Sequence, residues 1–180
     1  MTLPAGVGRV LYTEEQVAAR VLEIASEIDK KYQGRELKLI GVLKGSVFFL
    51  TALARALTVP VKIDFLAISS FSGASGASQG MVRIAKDLDD PIQDEDVLLI
   101  EDIVDTGLTT RYLLQTLAGR GPRSLGICTL LDRHVRRLVQ VPVEFRCFEI
   151  PDRFVVGCGL DYRQLYRNLG CIAVMNPDKQ

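Results

Sequence analysis

The sequence has no excess charge of either sign, a single histidine, no closely spaced cysteine pair and no long hydrophobic run, and each deficit closes off a class of function. Its 22 basic and 22 acidic residues cancel, so no global field draws the chain to nucleic acid or to an anionic membrane, although a local basic patch is still open to it. No apolar stretch approaches the roughly 18 residues of a membrane span, and the opening "MTLPAGVGRV" lacks the basic head and apolar core of a signal peptide. A cytoplasmic protein with no membrane partner is expected. Cys128, Cys147, Cys158 and Cys171 form no CxxC and no Cys/His pairing of the zinc type, and three lie in apolar segments, which points to buried, reduced thiols.

What is present is an alternation of helical and β-rich stretches. After Thr13, "EEQVAARVLEIASEIDKKY" sets Val17, Val21, Ile24 and Ile28 at helical spacing, and Thr13 with Gln16 occupies capping-box positions. Residues 37–43 read as a buried strand, 46–57 as a helix, 61–70 as a strand, 96–101 as another buried strand, "LTTRYLLQTLAGRG" as a helix ending at glycine and 124–131 as a strand. Shorter strands are expected in "VEFRCFEI", "FVVG" and "CIAVM". The order predicts an α/β protein with a largely parallel sheet, and the length suits a single domain over 1–180.

One stretch, "VLLIEDIVDTGLTT" at 97–110, sets three carboxylates against an aliphatic run and ends in a turn. At the carboxyl end of a parallel strand, where open α/β sheets bind ligands, Glu101 and Asp102 would emerge, and Asp105, Thr106, Gly107 and Thr109 would line the turn into the next helix. The first amides of that helix lack intrahelical partners and suit a phosphate, while the carboxylates suit ribose hydroxyls or a divalent cation. A sugar phosphate meets both requirements. The competing reading is that Asp105 or Thr106 merely caps the helix and that the other acids are solvated.

The same stretch closely resembles the phosphoribosyl pyrophosphate (PRPP) motif of type I phosphoribosyltransferases. With "GVLKGSVFFL", "IDFLAISSF", "CTLLDR", "VPVEF" and "EIPDRFVVGCGLDYRQLYRNL" in order, nearly the whole chain resembles the hypoxanthine-guanine phosphoribosyltransferase family. The resemblance implies a largely parallel twisted sheet flanked by helices, a small hood formed by the N- and C-terminal segments, and a lid loop at about 70–82 that includes Ser70 and Phe71. It implies magnesium-dependent transfer of the phosphoribosyl group from PRPP to hypoxanthine or guanine. It further implies small-molecule substrates and assembly as a homodimer or homotetramer.

Roles follow residue by residue. Asp105 would be the general base, with residues 105–109 (Asp105, Thr106, Gly107, Leu108, Thr109) holding the 5′-phosphate. Glu101 and Asp102 would lie at the ribose hydroxyls, directly or through Mg2+, and Asp161 would be a further metal ligand beside the base. Lys44, Gly45 and Arg167 would bind pyrophosphate, and the family often has a cis peptide at this turn. Arg133, Phe154 and Val155 would meet the purine at its 6-oxo group, its face and its 2-position. Without the resemblance, "LKG" is an ordinary turn, Phe154–Val156 a core strand, and Asp161 and Arg167 partners in an exposed helix ion pair.

Three positions depart from the family's usual pattern. Arg133 stands for lysine, Phe71 for tyrosine and Cys158 for an aromatic. Arginine keeps the donor but changes its reach, so exclusion of adenine is expected to persist while the ranking of guanine, hypoxanthine and xanthine is open. His134, in the basic cluster "RHVRR", is read as part of a polar helix or turn and not as a catalytic group. Two other functions are open: a nucleotide-sensing regulator that keeps the fold but binds RNA or protein, and a phosphoribosyltransferase preferring xanthine.

Overall fold

The structure, a computed structural model, describes residues 3, 4, 6–70 and 82–176. In chain order it contains β1 (Val7–Tyr12), α1 (Glu14–Lys31), β2 (Leu37–Leu43), α2 (Ser46–Ala56), β3 (Val61–Ser70), β4 (Val82–Lys86), β5 (Asp96–Val104), α3 (Leu108–Ala118), β6 (Ser124–Asp132), β7 (Phe145–Glu149), β8 (Val155–Val156) and β9 (Ile172–Met175). The expected lid, with Phe71, lies outside the described residues except for its flanking strand ends, Ser70 on β3 and Val82 on β4.

The main sheet has the order β4-β3-β2-β5-β6-β7. All neighbours are parallel except β3 and β4, which run antiparallel. Helices cover both faces, so β2 and β5 read as nearly continuous apolar runs rather than alternating ones. On one face, Val21, Ile24 and Ile28 of α1 and Phe49, Leu50 and Leu53 of α2 pack with Leu39, Leu98 and Ile100. On the other, Leu113 and Leu117 of α3 pack with Ile40, Leu99 and Ile127. Burying each such side chain is worth about 1.5–3 kcal/mol, so together they far outweigh the capping box that starts α1, where Thr13 and Gln16 exchange the two expected bonds.

The crossover from β2 through α2 leads outward to β3, whereas the crossover from β5 through α3 leads the other way to β6. The carboxyl ends of β2 and β5 therefore lie side by side with their connections diverging, which opens a crevice between them. A second, antiparallel sheet of order β1-β9-β8 joins the two ends of the chain and forms the expected hood.

Two strands run past their expected ends. β5 continues to Val104 and β6 to Asp132, because these strands keep pairing with each other after β2 has left β5 at Ile100. Asp102 thus sits on the strand with Glu101 and not in the turn beyond it. The four cysteines are free and buried. No helix among the described residues is long and apolar enough to cross a membrane.

Candidate active site

The turn after β5 leads into α3 without a side-chain cap. Gly107 caps α3 in the left-handed conformation (φ 83°) and supplies no side-chain cap bond, so neither Asp105 nor Thr106 is the N-cap of this helix. The Thr106 hydroxyl accepts only a long bond, 3.4 Å, from the Leu108 amide. Gly107 is required twice over: by its positive φ, and because a Cβ there would lie 2.8 Å from the Val139 carbonyl oxygen. A cleft of about 240 Å³ opens here between the ends of β2 and β5, with Gly45, Asp102, Asp105, Thr106, Gly107 and Thr109 in its walls. Larger hollows exist elsewhere. The charged one at the opposite end of the strands has its groups paired internally, Asp96 with Arg35 and Arg123, and Glu95 with Lys38.

Successive strand residues point to opposite faces, which separates Glu101 from Asp102. Glu101 is buried, and burial pushes its carboxyl well above the usual range, aided by repulsion from Asp102 and opposed by a bond to the Thr110 side chain on α3. Asp102 faces the β2 turn. Burial raises its carboxyl too, with Asp161 adding to the rise, while bonds to the backbone and the charge of Arg167 oppose it. The two acids belong to one cleft but not to one cage: among the described residues no three Asp, Glu, His or Cys side chains are grouped to hold a metal.

The β2 turn contains a cis peptide between Leu43 and Lys44. Lys44 is exposed and Gly45 is buried. Gly45 is pressed between two neighbours. A Cβ on it would lie 1.6 Å from Asp102 Oδ2, and a Cβ on Gly159 (φ +99°) would lie 1.9 Å from the Gly45 carbonyl oxygen. The chain from 157 to 167 meets this turn at Gly159, and Arg167 braces that segment from within: its Nη1 donates to the Gly159 carbonyl (2.7 Å) while Nη2 pairs with Asp161 (2.7 Å). Asp161 also accepts from the Gln164 amide (2.8 Å). Asp161 and Arg167 do form an ion pair, yet in an irregular turn and not on a helix.

The residues expected to meet the purine, Arg133, Phe154 and Val155, lie on another side of the site. Arg133, buried at the end of β6, sends Nη1 to Asp105 Oδ2 (3.3 Å) and Nη2 to the Arg153 carbonyl (2.6 Å). One donor and one acceptor of this pair, Arg133 Nε and Asp105 Oδ1, are buried without a hydrogen-bond partner. Phe154 is 50% exposed and meets Tyr162 edge-on at 5.8 Å. Val155 is buried and pairs with Val174, so the alternation expected of "FVVG" gives one exposed ring followed by core. Cys158 takes a positive φ of 48° and its thiol donates to the Gly170 carbonyl. His134 lies in a short 3-10 turn, 3.8 Å from Glu149 and outside the cleft walls.

Comparison with known proteins agrees with this arrangement. Residues 10–163 match the family described as "Phosphoribosyl transferase domain". The hypoxanthine-guanine phosphoribosyltransferase of Mycobacterium avium is 47% identical over 180 residues, covering 97% of this chain and 88% of that one. A crystal structure of a hypoxanthine phosphoribosyltransferase from Staphylococcus aureus superposes with a TM-score of 0.90 at 42% identity, covering 96% of this chain and 94% of that one. A point mutant of the Trypanosoma cruzi hypoxanthine phosphoribosyltransferase, in a ternary substrates complex, gives a TM-score of 0.90 at 38% identity over 96% of this chain and 97% of that one. With the crevice, its turn and its flanking residues all in the expected order, the chain belongs to the phosphoribosyltransferase family.

Proposed function

We propose that this protein is a purine-salvage enzyme that transfers the 5-phosphoribosyl group from PRPP to hypoxanthine or guanine, giving IMP or GMP and pyrophosphate. The observation that carries the reading is the pairing of buried Arg133 with partly buried Asp105, which leaves one donor and one acceptor without a hydrogen-bond partner beside an exposed aromatic ring. A 6-oxopurine presents the complementary set: an oxo acceptor, an imidazole N–H and a flat face. Adenine presents amino hydrogens to the obligate donor and is disfavoured. The whole chain, 1–180, acts as a single domain in this reading, supported by β1 and β9 joining its two ends.

As the glycosidic bond breaks, positive charge grows on the ribose and negative charge on pyrophosphate. Asp105 accepts the purine proton, the turn 105–109 holds the 5′-phosphate, and the Gly45 turn with Lys44 and Arg167 receives the pyrophosphate. Glu101 and Asp102 face the ribose and favour its cationic form. Their burial with raised pKa fits a cation partner, since of the two desolvated carboxylates only Asp102 has a cation, Arg167, acting on it. Mg2+ suits such a place because it needs only one or two carboxylates plus phosphate oxygens and water. Asp102 or Glu101 would hold it on one side and Asp161 on the other, and bound there it would neutralise the charge of the leaving pyrophosphate. The enzyme would act in the cytoplasm as a homodimer or homotetramer.

The test is pyrophosphate release from PRPP and magnesium with hypoxanthine, guanine, xanthine and adenine supplied separately. Turnover with the first two, little with adenine and a loss of about 100-fold or more in Asp105→Asn is expected. PRPP binding without turnover on any purine would refute it in favour of a regulator, and turnover confined to xanthine would reassign the substrate.

A further inference from the structure

The cluster "RHVRR" contributes a residue that neither motif nor resemblance singles out. Arg137 lies partly buried against the back of the phosphate turn. Its Nε donates to the Asp105 carbonyl (3.1 Å) and its Nη2 to the Val104 carbonyl (3.4 Å), and the same Nη2 pairs with Asp132 at the end of β6. The two residues after it continue the contact, the amides of Leu138 and Val139 both donating to the Thr106 carbonyl (2.9 and 3.3 Å). Three consecutive carbonyls, 104 to 106, are thereby held on one side by one short strap. The strap lies so close that a Cβ on Gly107 would come within 2.9 Å of Arg137 Cδ.

In a trans peptide the carbonyl of one residue and the amide of the next point in opposite directions. Holding the carbonyls of Asp105 and Thr106 toward the strap turns the amides of Thr106 and Gly107 away from it, to the side of the turn that faces the cleft. Those amides are the ones a phosphate at the α3 terminus would take.

We propose that Arg137 is a positioning residue for phosphate binding: its planar guanidinium, aimed by Asp132, fixes the peptide orientation of the 104–107 turn and so presents its amides to the 5′-phosphate. The inference rests on the function proposed above and deepens it. A lysine keeps the charge but, as a point donor, cannot span two carbonyls and a carboxylate. Arg146 supplies an internal control, because it bonds the other oxygen of Asp132 (3.1 Å) and Glu149 (2.7 Å) without touching the turn in the contacts it makes there.

Calorimetric titration of the full chain with ribose 5-phosphate, together with KM values for PRPP and for hypoxanthine, tests it. Arg137→Lys and Asp132→Asn are expected to weaken ribose 5-phosphate binding by about tenfold or more and to raise the PRPP KM in step, leaving the hypoxanthine KM within about twofold. Arg146→Lys is expected to bind as wild type. Wild-type affinity in Arg137→Lys, or an equal loss in Arg146→Lys, would overturn the proposal. Should Arg137→Lys fail to fold, the contrast between Asp132→Asn and Arg146→Lys decides it in the same way. Wild-type protein that binds ribose 5-phosphate but turns over no purine would refute the proposed function and leave this inference standing, whereas absence of ribose 5-phosphate binding would refute both.

Discussion

Adding one methyl group at Gly45 separates sterics from backbone conformation. Gly45 has φ −60° and ψ −43°, which any residue adopts, so Gly45→Ala carries no backbone strain and should gain about 0.4–1 kcal/mol through the unfolded state. Against that gain stands a collision. The new Cβ would lie 1.6 Å from Asp102 Oδ2 and 2.5 Å from its Cγ, where ordinary C···O contact needs about 3.3 Å, so the carboxylate must retreat by nearly 2 Å. Retreat breaks its bond from the Ile103 amide (2.9 Å) inside a packed wall. Overpacking of this kind costs about 1–3 kcal/mol, and the net effect should be a loss of about 1–2 kcal/mol. Urea denaturation of wild type, both single variants and the double variant Gly45→Ala/Asp102→Ala reads it directly. In the Asp102→Ala background the alanine at 45 should cost nothing or stabilise slightly, giving a coupling of at least about 1 kcal/mol. Equal destabilisation in both backgrounds would refute the reasoning, since the clash would then lie elsewhere.

Three further outcomes follow from the same geometry. Gly159→Ala adds strain at φ +99° to a contact of 1.9 Å with the Gly45 carbonyl oxygen, which is backbone and cannot swing aside, so folded yield or PRPP affinity should fall further than in Gly45→Ala; equal behaviour of the two would count against it. Glu101 ionises less readily in the fold than in the unfolded chain, so its contribution is unfavourable and grows as pH rises from its unfolded value toward its folded one. Without divalent ions, Glu101→Gln should therefore melt higher than wild type at pH 8, by about 1 kcal/mol or roughly 2–4 °C, while losing activity, and the gap should close toward pH 4; a variant less stable at pH 8 contradicts the sign. Burial pushes the thiols of Cys147 and Cys158 up to about 12 and that of Cys128 well above its usual value. Native protein should accordingly keep these three thiols from a thiol-specific disulfide reagent at pH 8 and release them only on unfolding. Rapid labelling of any of these three in the native state would show that the segment holding it opens.

What is legible in the sequence is what local pattern governs. β2 is the run 37–43 and β3 the run 61–70, as expected, because continuous apolar or alternating runs record burial on two faces or one. The pattern alone ends β5 at Glu101, since carboxylates are poor strand formers; the strand continues through Asp102 to Val104 because β6 still pairs with it there. β1 is hidden for a related reason: "VGRVLY" carries a glycine and an arginine, and its partner β9 is at the far end of the chain and pairs with register shifts. Gly45 and Arg137 mark the deeper limit. A glycine in a Lys-Gly turn and the last arginine of a basic cluster look ordinary in one dimension. Their importance lies in what stands opposite them, Asp102 and Gly159 for the first and the carbonyls of 104 and 105 for the second. Motifs record the groups that would touch substrate, but the residues that aim those groups are specified only by the three-dimensional crossing of strands. A turn whose amides must face one way needs its carbonyls satisfied on the other, so the side facing away from the cleft is where further determinants of activity should be sought.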